Sequence, residues 1–191
     1  MITATEQVRR PPGKVNSKPI SLEAFKQRYL EKKTHKYEWK QGWVEKKDYM
    51  KSDERYIIDN IIRKHIQTKD FQQGNSIMAE ADCYFSTLEA YRRPDAAYLV
   101  REQIKHPATA TEAPALVIEV SSPSNSDLKN KKKILEYLAA GVQMVWYIYP
   151  QIKQVWIHTS PSSVVVCQEG DTCQADSIIP GFRISVQEIF A

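Results

Sequence analysis

Ala115 to Tyr149 reads ALVIEVSSPSNSDLKNKKKILEYLAAGVQMVWYIY. Its first six residues, Ala115 to Val120, are almost wholly apolar, as a central strand buried on both faces requires. Ser122-Pro123-Ser124-Asn125-Ser126-Asp127 then supplies turn and N-cap chemistry. Leu128, Ile134, Leu135, Leu138 and Ala139 give the following helix an apolar face, and Gly141 closes it. Val145 to Tyr149 is a second near-continuous apolar strand, stopped by Pro150. Strand, helix and strand in this order form a crossover unit, so the two strands are expected to be parallel neighbours.

Outward from this unit the pattern changes. Tyr37-Glu38-Trp39 and Trp43-Val44-Glu45 flank Gln41-Gly42, which predicts a β-hairpin over Lys36 to Lys47. Val155 to His158 and Val164 to Cys167 continue the second strand as an antiparallel meander. Helical spacing follows Ser21 over residues 22–33 and recurs from Asp53 to about Lys69. Ile77 to Phe85 and Ala96 to Val100 have strand character, Ile178 to Phe182 reads as a turn, and Val186 to Phe190 as a short final segment. The expected fold is α/β (α+β): a mixed central sheet flanked by helices, with extra antiparallel hairpin and meander strands. Residues 21–191 are expected to form one domain behind an N-terminal arm, residues 1–20, mobile or draped on the domain, in which Pro11, Pro12, Gly13 and Pro19 break any periodicity.

The chain has 191 residues, enough for one sizeable core. No apolar run reaches the roughly 18 residues of a membrane span, and the first residues lack the apolar stretch of a secretory signal. A cytoplasmic address is the expectation. Cys83, Cys167 and Cys173 are few, odd in number and without metal-ligand spacing, so they read as free thiols. The net charge is only +4, but residues 1–51 carry 13 Lys/Arg against 6 Asp/Glu. That surplus is either a solvated surface or a footprint for nucleic acid.

Glu119 is the anomaly in the central strand. A carboxylate buried without a partner would cost several kcal/mol or take up a proton. It needs an arginine such as Arg92 or Arg93, exposure at the strand end, or a metal ion. Asp95, in Arg92-Arg93-Pro94-Asp95, stands where a loop becomes the apolar strand Ala96 to Val100. It is either a turn aspartate or the second member of a pair. Two carboxylates at equivalent strand ends repel, and a hard divalent cation such as Mg²⁺ or Mn²⁺ removes the conflict. Lys133, in the run Lys131-Lys132-Lys133, shares a helical face with Tyr137 four residues on. It is either a solvated lysine or an ammonium beside developing charge. Glu38 is a further candidate, with a cross-strand partnership as its plain alternative. His35, His65, His106 and His158 show no zinc spacing. Ser121, Ser122 and Ser124 lack a nucleophile-elbow context, and with six glycines there is no phosphate-binding loop.

The ordered set Tyr37-Glu38-Trp39 with Gly42, Arg92-Arg93-Pro94-Asp95, Val117 to Ser124, Asp127, Lys133, Tyr137, Ala140-Gly141-Val142, Trp146 and Pro180-Gly181-Phe182 resembles the bacterial Uma-type family of restriction-endonuclease-like proteins. The resemblance runs from about Ser21 to Ala191. It implies the PD-(D/E)XK nuclease fold and a divalent metal held by Asp95 and Glu119, with Lys133 and Glu38 at further family positions. The lysine that the wider superfamily carries two residues after the Glu is Ser121 here, and its counterpart is displaced to Lys133. Tyr149 stands where the family usually has Asp. The implied activity is metal-dependent hydrolysis of nucleic-acid phosphodiesters, with DNA as substrate. A two-fold homodimer would suit cutting both strands of a duplex. The alternatives are a catalytically silent nucleic-acid- or protein-binding module on the same fold, or another metal-dependent hydrolase.

Overall fold

The computed structural model describes residues 10–30, 32, 35–106, 113–122 and 127–191. In chain order its elements are α1 (Leu22–Phe25), which runs into a wide helical turn over Lys26–Leu30, then β1 (Lys36–Lys40), β2 (Trp43–Lys47), α2 (Ser52–Ile66), α3 (Lys69–Gln72), β3 (Ser76–Ala79), β4 (Cys83–Phe85), β5 (Ala90–Arg92), β6 (Ala96–Leu99) and α4 (Arg101–Lys105). There follow β7 (Leu116–Val120), α5 (Asp127–Ala139), β8 (Met144–Tyr149), β9 (Gln154–Ser160), β10 (Ser163–Cys167), β11 (Thr172–Gln174), β12 (Arg183–Ser185) and α6 (Val186–Ile189).

The central sheet has six strands in the order β10-β9-β8-β7-β6-β3. Only β7 and β8 are parallel, joined by α5 as the crossover requires. All five residues of β7 are buried. Alternation sends Leu116, Ile118 and Val120 to a core formed with Ile57, Ile58 and Ile61 of α2. Val117 faces the other way, into a core with Ile134, Tyr137 and Ala140 of α5. Gly141, at φ +97°, ends α5 in the left-handed conformation that favours glycine. The cap expected before α5 falls on residues 122–127, of which Pro123, Ser124, Asn125 and Ser126 lie outside the described residues.

A second, four-stranded sheet has the order β2-β1-β5-β4. Its hairpin turns on Gln41 (φ +47°) and Gly42 (φ +85°), the pair of left-handed residues whose twist matches an antiparallel ribbon. Residues 15–20 drape along this hairpin. The Val15 N–H donates to the Val44 carbonyl (2.8 Å), and buried Asn16 bridges the Gly42 carbonyl and the Val44 N–H (2.8 Å each).

One expectation needs correction. Ile77 to Phe85 is not one strand. Glu80, at φ +50°, breaks it, and β3 joins the central sheet while β4 joins the second. Asp95 stands, as expected, where a loop becomes a strand: Arg93-Pro94-Asp95 is the corner between β5 and β6, where the chain passes between sheets. Pro94 suits that corner because it donates no ladder hydrogen bond. Among the described residues no helix is long and apolar enough to cross a membrane.

Candidate active site

Strand register brings the two acidic residues together. β6 and β7 are antiparallel, with Ala96 opposite Ile118. Extending that register by one residue puts Asp95 level with Glu119. Such directly opposed positions have Cβ atoms about 4.5–5.5 Å apart. Asp95 shares a sheet face with Ala97, and Glu119 shares it with Val117, so both carboxylates look toward α5. Asp95 is 6% exposed and Glu119 4%. The Val120 N–H donates to Asp95 Oδ2 at 2.8 Å, which locks the corner to the end of β7.

The positive partners come from α5 and β2. Lys133 Nζ lies 2.7 Å from Glu119 Oε1, and the Tyr137 hydroxyl donates to the same oxygen at 2.7 Å. The i, i+4 spacing of Lys133 and Tyr137 makes this joint approach natural. Lys131 and Lys132 are exposed, so Lys133 is the member of its run that faces the carboxylates. Lys47 Nζ stands 3.0 Å from Asp95 Oδ1 and also donates to the Arg93 carbonyl. The sequence reading did not single out Lys47. Its signal was present: the hairpin register opposes Glu38 to Glu45, and alternation sets Lys47 on that same face.

Glu38 lies on β1 and is buried. On β2 its cross-strand neighbour is Glu45, but on β5 the register that opposes Trp39 to Tyr91 extends to Arg92, so the plain reading as a cross-strand partner holds on that side. It pairs there with Arg92 Nη1 at 3.5 Å and accepts from the Arg93 N–H at 3.1 Å. Arg92 also pairs with Glu136 of α5, and Arg93 with Asp82. Neither arginine is the direct partner of Glu119. Asp95, Glu119, Lys133 and Glu38 line one cleft, with Lys47 and Asn130 among their neighbours.

The two carboxylates feel opposite net fields. Burial pushes Glu119 up, Asp95 pushes it further, and Lys133 and Lys47 only partly oppose them, so its carboxyl titrates above the usual range. Burial also acts on Asp95, but Lys47, Lys133 and the Val120 N–H outweigh it and hold its carboxyl low. Glu38 is likewise held low, against burial, by Lys133, Lys47 and Arg92. Lys47 is raised: burial opposes its charge, yet Asp95, Glu119 and Glu38 together prevail.

This donor set fits a hard divalent cation. Its oxygens come from two buried, opposed carboxylates, and Mg²⁺ is commonly held by one or two carboxylates, with water and phosphate completing its shell. Among the described residues no group of three or more His, Cys, Asp or Glu gathers tightly enough to hold one ion. Glu38 therefore stands apart from the pair. Cys83, Cys167 and Cys173 are free and buried, as the sequence predicted.

The fold is the restriction-endonuclease-like one. A crystal structure of a "putative nuclease belonging to DUF820" from Anabaena variabilis superposes with a TM-score of 0.74, at 22% identity, over 90% of this chain and 98% of that one. No curated protein matches the chain. The sequence profile of the Uma2 family, described as "Putative restriction endonuclease", matches residues 22–187, and the chain belongs to that family.

Proposed function

We propose that the protein is a divalent-metal-dependent endonuclease that hydrolyses phosphodiester bonds in DNA. The observation that carries this reading is the pair Asp95 and Glu119, buried and level on adjacent strands with an ammonium on each. Burying two opposed carboxylates is costly, and such perturbed groups cluster at functional sites. Mg²⁺ or Mn²⁺ held by Asp95 and Glu119 would supply Lewis-acid stabilisation of phosphate charge and a water of lowered pKa.

The chain's own groups do the rest. Tyr137 and Lys133 fix the orientation of Glu119, and the Val120 N–H fixes that of Asp95. Lys133 is the ammonium placed to neutralise charge developing on the phosphate. Glu38, held ionised by Arg92 and the lysines, orients water at the far side of the cleft. Lys14, Lys40, Lys129 and Lys132 line an adjoining hollow that shares Glu38, Arg92 and Lys133 with the site. They provide the phosphate contacts that position the strand.

One observation favours a second reading, a silent binding module. Each carboxylate already has a lysine partner, and Ser121 stands where the superfamily carries its in-strand lysine. The assay that separates the two is nicking of supercoiled plasmid with Mg²⁺, Mn²⁺ or EDTA, for wild type and Glu119→Gln. Metal-dependent nicking that disappears in the variant supports the nuclease. DNA retention without nicking supports the module.

A further inference from the structure

Asn130 is a buried amide in the wall of the cleft. It is 4% exposed, and its Nδ2 has no hydrogen-bond partner among the described residues. Buried amide donors are nearly always paired, because an unmade hydrogen bond is costly. Asn130, Lys133 and Tyr137 fall at i, i+3 and i+7 on α5, so they form one row on the helix face turned to the sheet. The last two each donate to Glu119 Oε1. Asn130 lines the same cleft as Asp95, Glu119 and Lys47 but keeps its donor.

We propose that the side-chain amide of Asn130 is a substrate contact, donating to an anionic oxygen of the phosphodiester held at the Asp95–Glu119 site. This rests on the nuclease reading of that site. Glu119 Oε1 already receives two donors, and Asp95 receives Lys47 and the Val120 N–H, while the Asn130 amide reaches neither. An incoming phosphate oxygen brings the missing acceptor. A planar amide adds direction that the flexible ammonium groups lack. The cleft wall beside it includes the exposed side chains of Lys51 and Lys129, long stems that can yield to a ligand.

The test uses the whole chain as wild type, Asn130→Leu and Asn130→Ala. Thermal unfolding without metal or DNA comes first. A donor kept for substrate makes no contribution to the free fold, so Asn130→Leu keeps or raises the Tm, by about 2–4 °C for each kcal/mol of relieved desolvation. A fall in Tm means that the amide serves the fold, and overturns the proposal. Binding of a fluorescein-labelled DNA duplex follows, with Ca²⁺ in place of Mg²⁺ so that nothing is cut. Loss of one hydrogen bond to a charged oxygen weakens binding about tenfold or more. Because Asn130 is neutral, the slope of log K against log salt stays at the wild-type value, whereas loss of a phosphate-binding lysine would flatten it. Unchanged affinity overturns the proposal, as does a flattened slope. Wild type that holds the duplex yet never cuts with Mg²⁺ sinks the nuclease chemistry and leaves this contact standing. Wild type that does neither sinks both.

Discussion

Replacing Lys133 by Met removes the ammonium from Glu119 and leaves the rest of its surroundings in place. At the observed 2.7 Å, the Coulomb attraction is about 6 kcal/mol for an effective dielectric constant of about 20. Desolvation of both ions offsets much of it. Truncating one partner of a fully buried pair costs about 3–5 kcal/mol. Lys133 keeps 22% of its side chain in solvent, and Tyr137 still donates to Glu119, so a net loss of about 2–3 kcal/mol is expected at pH 8. That lowers the Tm by about 4–12 °C in a chain of this size. The direction of the pH dependence follows from linkage. Glu119 already titrates above its ordinary value because of burial and Asp95, and losing Lys133 raises it further. A carboxyl whose folded pKa exceeds its unfolded one loses stability as pH climbs between the two, and is neutral below both. The penalty is therefore largest at high pH and fades on acidification. Adding Glu119→Gln should recover most of the loss, since the strained charge is gone. Mg²⁺ should stabilise Lys133→Met more than wild type, because Lys133 competes with the cation for the same oxygen. Calorimetry of wild type, Lys133→Met, Glu119→Gln and the double variant, with and without Mg²⁺ and across pH, measures all of this. A penalty that ignores pH and survives Glu119→Gln would show that Lys133 supports the fold by packing and not by charge.

Three other outcomes are expected. Mg²⁺ affinity, followed by titration calorimetry, should rise with pH through the raised titration of Glu119 and level off above it, since the protonated carboxyl cannot ligate; an affinity that does not fall on acidification would contradict this. Lys47→Ala should let burial lift Asp95, so the acidic limb of metal binding moves to higher pH, while Lys47→Arg restores much of the wild-type profile; identical profiles for all three would remove Lys47 from the site. Gly42→Ala should destabilise by about 1–3 kcal/mol in urea, because an L-residue is strained at φ +85° and its Cβ would lie 2.7 Å from Pro19 Cβ; a neutral effect would mean that residues 15–20 release from the hairpin at little cost.

Those parts of the fold that are local in the chain were legible in the sequence. Ala115 to Val120 carried its burial in its composition, and the helix after it forced a parallel neighbour. Gln41-Gly42 carried its turn in its backbone chemistry. Asp95 and Glu119 stood out because a charge in or beside an apolar strand demands an explanation. The second sheet was not legible in the same way. β4 and β5 have three residues each, too short for alternation to register, and their sheet is decided by the left-handed break at Glu80. Lys47 was hidden for a related reason: lysines are ordinary at a hairpin end, and only the folding of β2 toward the Asp95 corner gives this one its partner. The choice among Lys131, Lys132 and Lys133 required knowing that Tyr137 is buried, since the i, i+4 relation then selects Lys133.

The central claim is that Asp95 and Glu119 hold one cation between them. Manganese binding followed by electron paramagnetic resonance addresses it without requiring turnover. The account predicts a single Mn²⁺ per chain, competed by Mg²⁺, and weakened about tenfold or more by Asp95→Asn and by Glu119→Gln alike. No bound Mn²⁺ in wild type, or binding that survives either substitution unchanged, would contradict it.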